Sequence, residues 1–268
     1  MQKLLILFLF AALLPGCSEF NKALKSTDLD YKMQVAEKYI AKESYDRAIP
    51  LLEELIVLTR GSERSEKVNY LHAHCTYLMK DYTLAAYYLA NFVRTFPKSQ
   101  YAEECAFLSA YCQYQNSPGY ELDQSDTRNA MEQMQLFLVR YPNSSLKDSC
   151  NTLIDGMRTK LEAKAFHGAQ QYHKMRNYQA SSVAFKNFNR EWPNSKYRED
   201  ALFFILKSDH ELALNSVESK KLERLNEAIK SYHNFADAFP QSVLLPDALK
   251  LNKNIEAALD LETRKTIP

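Results

Sequence analysis

The residues able to do chemistry are few, and their spacing does not suit it. His210-Glu211 opens the HExxH pattern, in which two histidines one helical turn apart share a zinc ion, but position 214 is Leu and the second ligand is missing. The expectation for His210 is a surface histidine. His72 and His74 are two apart, about 200° around a helix, so they cannot hold one ion together. No CxxC, no GxSxG and no defensible Ser/His/Asp spacing occurs. The five glycines, at 16, 61, 119, 156 and 168, never stand closer than twelve residues, which excludes the GxxxxGK and GxGxxG phosphate loops. The expectation is a protein that is not an enzyme, with no catalytic residue, no metal site and no cofactor.

What must be positioned is therefore a surface, and the composition says which elements do it. Few glycines beside many Ala, Leu, Glu, Lys and Tyr favour helices over a turn-rich β fold. Lys+Arg 34 against Asp+Glu 33 leaves a charge of +1, without the basic excess of a nucleic-acid binder. Hydrophobic content of 46% is too high for a disordered chain.

A repeat organises the body. Phe96-Pro97-Lys98-Ser99, Tyr141-Pro142-Asn143-Ser144, Trp192-Pro193-Asn194-Ser195 and Phe239-Pro240-Gln241-Ser242 share one pattern. Twelve residues before each Pro stands a small residue (Ala85, Ala130, Ser181, Ala228), and seven after that anchor comes Phe92, Phe137, Phe188 or Phe235. A degenerate copy has Ala48, Leu55 and Ser62, with Arg60 at the Pro position. Anchors at 48, 85, 130, 181 and 228 give spacings of 37, 45, 51 and 47. Small or apolar residues at the anchor, +4 and +7 line one helical face, the packed one. The Pro ends each helix and the Ser two later can cap the next, whose first turn carries an acid (Glu66, Glu103, Asp148, Glu199). Helices also precede the anchors, since Val35-Ala36, Tyr39, Tyr45 and Ala48 repeat as Gly168-Ala169, Tyr172, Tyr178 and Ser181. The pattern resembles the tetratricopeptide repeat, which implies an all-α helical-repeat solenoid of about five helix pairs with a concave binding face. Gln115 to Thr127 and Asn215 to Lys221 read as the longer loops.

The register also explains the cysteines of the body. Cys105 and Cys150 stand twenty after an anchor, where other copies have Ala201 and Ala248, and Cys75 and Cys112 stand 27 after theirs. They read as packed thiols in positions that want small buried residues. Cys105 and Cys112 cannot bridge on one helix, because seven residues rise about 10.5 Å. Residues off the packing register on the first helices are the candidates for binding a peptide on the concave side: Met33, Glu37, Tyr70, His74 and Tyr77. For Tyr70 and Tyr77, core packing is the alternative.

The N-terminus reads as an address. Lys3 precedes eleven uncharged residues, Leu4 to Leu14, and then Leu14-Pro15-Gly16-Cys17. Eleven helical residues span about 17 Å against a hydrocarbon core of about 30 Å, so the segment is a secretory signal. A small residue before a Cys resembles the bacterial lipobox, which implies cleavage after residue 16 and a diacylglycerol and N-acyl chain on Cys17. The alternative is a plain signal peptide with an incidental Cys. Ser18, rather than Asp, and the lack of an acidic run after Cys17 favour the outer membrane and its periplasmic side. Losing residues 1 to 16 leaves 33 basic and 33 acidic residues.

A closer resemblance rests on Asp123-Gln124-Ser125-Asp126-Thr127-Arg128 leading into the third anchor, on Arg158, Leu161, Lys164, Tyr172 and Tyr178, and on Trp192 through Leu202. With the lipid signal and five repeats, these resemble the tetratricopeptide lipoproteins of the outer-membrane β-barrel assembly machinery, from Cys17 to about Ala248. Ser181-Ser182 and Trp192 depart from the commoner Ala-Ala and Tyr. The resemblance implies a non-enzymatic scaffold that helps deliver nascent β-barrel outer-membrane proteins. It divides the chain into signal peptide 1–16, lipidated tether 17–29, N-terminal repeats and loop 30–127 for the substrate signal, and C-terminal repeats 128–268 for docking. The implied docking partner is a BamA-like barrel subunit, met through its periplasmic domains by Arg158, Lys164 and Arg198, with other assembly lipoproteins as further partners. Two rivals are a glycan-import lipoprotein, which would need a longer chain, and a periplasmic tetratricopeptide scaffold coordinating cell-wall synthesis or envelope constriction, which would carry a coiled coil.

Overall fold

The structure, a computed structural model, describes the backbone of residues 16–266 and the side chains of 19–265. The expected signal segment and the Cys17 side chain with its lipid lie outside the described residues. Among the described residues there are twelve α-helices and no strand: α1 (Gly16–Lys25), α2 (Leu29–Ala41), α3 (Tyr45–Leu58), α4 (Arg64–Leu78), α5 (Tyr82–Thr95), α6 (Ala102–Asn116), α7 (Ser125–Arg140), α8 (Lys147–Lys174), α9 (Tyr178–Glu191), α10 (Arg198–Leu214), α11 (Glu218–Ala238) and α12 (Leu245–Thr266). Helices α2 to α11 form five consecutive pairs, and each anchor sits on the second helix of its pair. The chain separates into two compact units, residues 1–157 and 158–268.

All five anchors are fully buried, and the +7 residues Leu55, Phe92, Phe137, Phe188 and Phe235 are at most 3% exposed. The position twenty after the anchor, on the next first helix, is filled by Val68, Cys105, Cys150, Ala201 and Ala248, and the position 27 after it by Cys75, Cys112, Met157, Ser208 and Ile255; all are buried. The four cysteines named here are free thiols. Burial pushes Cys75 up to about 11 and Cys105 and Cys112 up to about 12.

The aromatic-Pro junctions behave as their stereochemistry requires. Phe96, Tyr141, Trp192 and Phe239 each end a helix with φ between −136 and −122 and ψ between 61 and 66, outside the α region. The following Ser bonds two residues onward rather than at the helix cap itself. Ser99, Ser144, Ser195 and Ser242 Oγ accept from the backbone N–H of Tyr101, Leu146, Tyr197 and Leu244 at 2.9 to 3.1 Å. In two copies the same hydroxyl donates backwards by one repeat, Ser99 to Glu66 at 2.6 Å and Ser242 to Glu199. The first-turn acids thus join neighbouring repeats as well as facing a helix dipole.

In three of the five pairs, the first, second and fourth, the turn is made by a residue in the left-handed region. Glu43, Lys80 and Arg176 have φ of 57, 62 and 60, each five residues before its anchor. Asp81 and Asn177 then cap α5 and α9 through Leu84 N–H and Ala180 N–H. The loop of residues 117–124 is held by buried Gln124, whose Nε2 donates to the carbonyls of Gly119 (2.7 Å) and Leu122 (3.0 Å), while its Oε1 accepts from Thr127.

Two expectations change. His210 is 6% exposed and part of the interior of α10, because its register falls on the inner side of a first helix. The stretch expected as a tether, 17–29, is helical from its start to Lys25, with Ala23 fully buried and the Phe20 ring set edge-on against Tyr39 at 6.1 Å. Lys32, 1% exposed, binds α1 by donating to the Leu24 carbonyl at 3.0 Å and pairs with Glu54 on α3.

Candidate peptide-binding face

The first helices α4 and α6 pack side by side. On α4, Tyr70, His74 and Tyr77 follow one another at helical spacing along a single face. Tyr70 stacks on Tyr101 at 4.0 Å and on His74 at 5.5 Å, and its edge meets Phe92 at 6.1 Å. Tyr77 approaches His74 at 6.1 Å and Tyr111 at 6.4 Å. The row continues on α6, where Phe107 stacks on Tyr111 and Tyr111 on Tyr114, at 6.0 and 5.9 Å. Apart from the buried Phe92 these rings are half-buried, so each contributes to the core with one face and leaves area for a ligand with the other.

One carboxylate stands in this wall. Glu104 accepts from the Tyr70 hydroxyl at 3.1 Å and lies 3.7 Å from His74 Nε2. Burial first, and then the Glu104 charge, push the Tyr70 hydroxyl well above the ordinary tyrosine range. Burial raises Tyr77 as well. The arrangement can stack apolar and aromatic side chains and accept backbone N–H groups.

The other expected residues take different places. Met33 packs against the first core cluster and lines a cavity of about 210 Å³ with Arg64 and Lys67. Glu37 joins α2 to α4 through Lys67 at 2.6 Å. Arg158 and Arg198 are exposed and Lys164 is half-buried. Arg158 and Lys164 share α8, six residues apart, which puts them about 120° apart around the helix; Arg198 opens α10. His72 points away from the aromatic row, with its ring edge-on to Tyr88 at 4.6 Å and Nε2 3.8 Å from Glu53.

Phe107, Tyr111 and Tyr114 were not singled out in the sequence, although the signal was there. They stand 22, 26 and 29 after Ala85, as Tyr70, His74 and Tyr77 stand after Ala48. The same three positions after Ser181 hold Phe203, Lys207 and His210. The register is thus aromatic after the first two anchors, holds Thr152, Gly156 and Thr159 after Ala130, and is aromatic and cationic after Ser181.

Comparison with known proteins places the chain in a family. One solved structure, the TPR2AB-domain:pHSP90-complex of yeast Sti1, is 11% identical and aligns over 88% of this chain and 93% of its own, with a TM-score of 0.40. The outer membrane protein assembly factor BamD of Caulobacter vibrioides is 23% identical over 249 residues, covering 91% of this chain and 78% of that protein. The family model YfiO, described as outer membrane lipoprotein, matches residues 31–225, from α2 into α11. The chain therefore belongs to the YfiO family of outer membrane lipoproteins.

Proposed function

We propose that this chain is the tetratricopeptide-repeat lipoprotein subunit of a β-barrel assembly machinery, held at the periplasmic side of the outer membrane by acyl chains on Cys17. The observation that carries the reading is the family match over residues 31–225, which begins inside the first helix of the first pair and ends inside the second helix of the fifth. The work is positioning and involves no bond making. An extended, aromatic segment of a nascent β-barrel outer-membrane protein stacks along Tyr70, His74 and Tyr77, with Met33 and Glu37 on the neighbouring first helix. Arg158, Lys164 and Arg198 dock the periplasmic domains of a BamA-like barrel subunit. Affinity for the segment is modest, because the peptide gives up chain entropy on ordering. No helix among the described residues is long and apolar enough to cross a membrane, which fits attachment through a lipid.

The test is a mild-detergent pull-down of the tagged protein from its own membranes, read by mass spectrometry. Recovery of a barrel protein with repeated periplasmic domains is expected. Recovery of cell-wall enzymes or glycan transporters in its place would overturn the assembly role and leave a lipid-anchored scaffold.

A further inference from the structure

The second unit holds a polar cleft that the proposed function does not use. It has a volume of about 580 Å³ and lies between the end of α8, the start of α9, α10 and α12. Its walls include His173, Arg176, Tyr178, Lys207, His210 and Glu211. The charges do not balance. Arg176 and Lys207 are fixed cations, no ion pair joins either to an acid among the described residues, and Glu211 is the cleft's one carboxylate. Glu211 is already engaged by His210 Nδ1 at 3.1 Å. Lys207 is held in place by ring faces, with Nζ 5.3 Å from the centre of Phe204 and 5.6 Å from that of Phe203. The Arg176 backbone is set by the left-handed turn that ends α8, with Arg176 N–H on His173 O and Asn177 N–H on Tyr172 O, and its exposed side chain lines the cleft mouth.

His173 is set by the interior behind it. Ser181 donates to Ala169 O at 3.5 Å and Ser208 donates to Ser181 at 3.0 Å, so the His173 Nδ1 that meets Ser208 at 3.0 Å must be the donor. His173 Nε2 is left as an acceptor. The departure from Ala at anchor 181 thus has a structural reason. His210 Nε2 is buried with no hydrogen-bond partner.

We infer that this cleft binds a short acidic peptide segment, taking a carboxylate between Arg176 and Lys207 and the adjoining backbone against Tyr178, Glu211 and Asn215. Two observations favour a peptide over a phosphate. Lys207 and His210 occupy the register that carries His74 and Tyr77 in the first unit, the face that presents rings to a chain. Glu211 would repel a dianion, whereas with Asn215 it can meet the N–H and C=O groups of a backbone. The site stands apart from the docking residues Arg158, Lys164 and Arg198, so it does not rest on the assembly reading.

The experiment titrates the full chain in detergent with an octapeptide of Ala, Gln and Tyr carrying Asp at its last two positions. Controls are the same peptide with Asn for Asp and an amidated end, and inorganic phosphate alone. Saturable binding of the acidic peptide is expected, with a loss of about tenfold or more in each of Arg176→Gln and Lys207→Gln, and recovery in Lys207→Arg. Circular dichroism of the variants separates loss of binding from loss of fold. Equal binding of the neutral peptide, unchanged affinity in both Gln variants, or saturation by phosphate that excludes the peptide would each overturn the assignment.

Discussion

At the residue scale, the four buried cysteines give the plainest chemistry. A thiolate would have to form in an apolar interior, which pushes Cys75 up to about 11 and Cys105 and Cys112 up to about 12 and raises Cys150 as well, while an unfolded thiol ionises at about 8.5. The folded pKa lies above the unfolded one, so this contribution to stability is complete below about pH 8.5 and is lost as pH rises toward the folded values. The expected outcome is a denaturant midpoint that falls between pH 8 and 10.5, and falls less in Cys105→Ala, which carries the residue found in the same register at 201 and 248. Thiol counting with a coloured disulfide reagent adds a second reading. Native protein should react slowly, and denatured protein extracted from membranes should show four thiols rather than five, because acylation blocks Cys17. A count of five would remove the lipid anchor from the proposed function. Backbone strain sits at this scale too. Lys80 has φ of 62 in an exposed turn, so Lys80→Gly should stabilise the fold by about 0.5 kcal/mol, offset in part by the greater freedom of glycine when unfolded. A midpoint that drops would show that the Lys80 side chain contributes more than its backbone costs.

At the element scale, the stabilising unit is a pair of helices plus the first helix of the next pair. The core clusters divide in that way within the first unit: Val68 and Cys75 of α4 belong with α2 and α3, and Ala73 of the same helix belongs with α5 and α6. Phe92 is 2% exposed and touches Tyr70 and Phe96, so Phe92→Ala should cost about 3–5 kcal/mol by leaving a cavity, measured by chemical denaturation. The Ser99–Glu66 bond joins two repeats, and a double-mutant cycle of Ser99→Ala with Glu66→Gln should give a coupling of about 1 kcal/mol. The second helices were legible because their signals are local: a small anchor, an aromatic seven later and a Pro twelve later all act within one helix. The first helices were legible only in part. Their inner positions are read against the anchor of the previous repeat, and with spacings from 37 to 51 that register survives only when counted forward from the anchor. Counted that way, Phe107, Tyr111 and Tyr114 appear; counted backward across the loop at 117–124, they are lost. Buried Lys32 had no sequence signal, since only the packing of α1 and α3 around it supplies its partners.

At the scale of the whole molecule, a solenoid spreads its stability over neighbouring repeats and can therefore separate its functions along the chain. The first unit presents rings and one carboxylate on its first helices, and the second carries the exposed Arg158 and Arg198 and a cleft with two fixed cations. If substrate segment and docking partner use these two surfaces, damage to one should leave the other working. Tyr70→Ala with Tyr77→Ala removes stacking area and the bond to Glu104, and should weaken capture of an aromatic peptide by about tenfold or more while the barrel subunit still co-purifies. Arg158→Glu, Lys164→Glu and Arg198→Glu together put like charge where an acidic partner surface would meet them, and should release the barrel subunit while peptide capture persists. Unfolding curves of both variants show whether each unit still folds. The pattern that would sink this division is loss of both activities in either variant with the fold intact, since a solenoid with separate sites has no reason to lose them together.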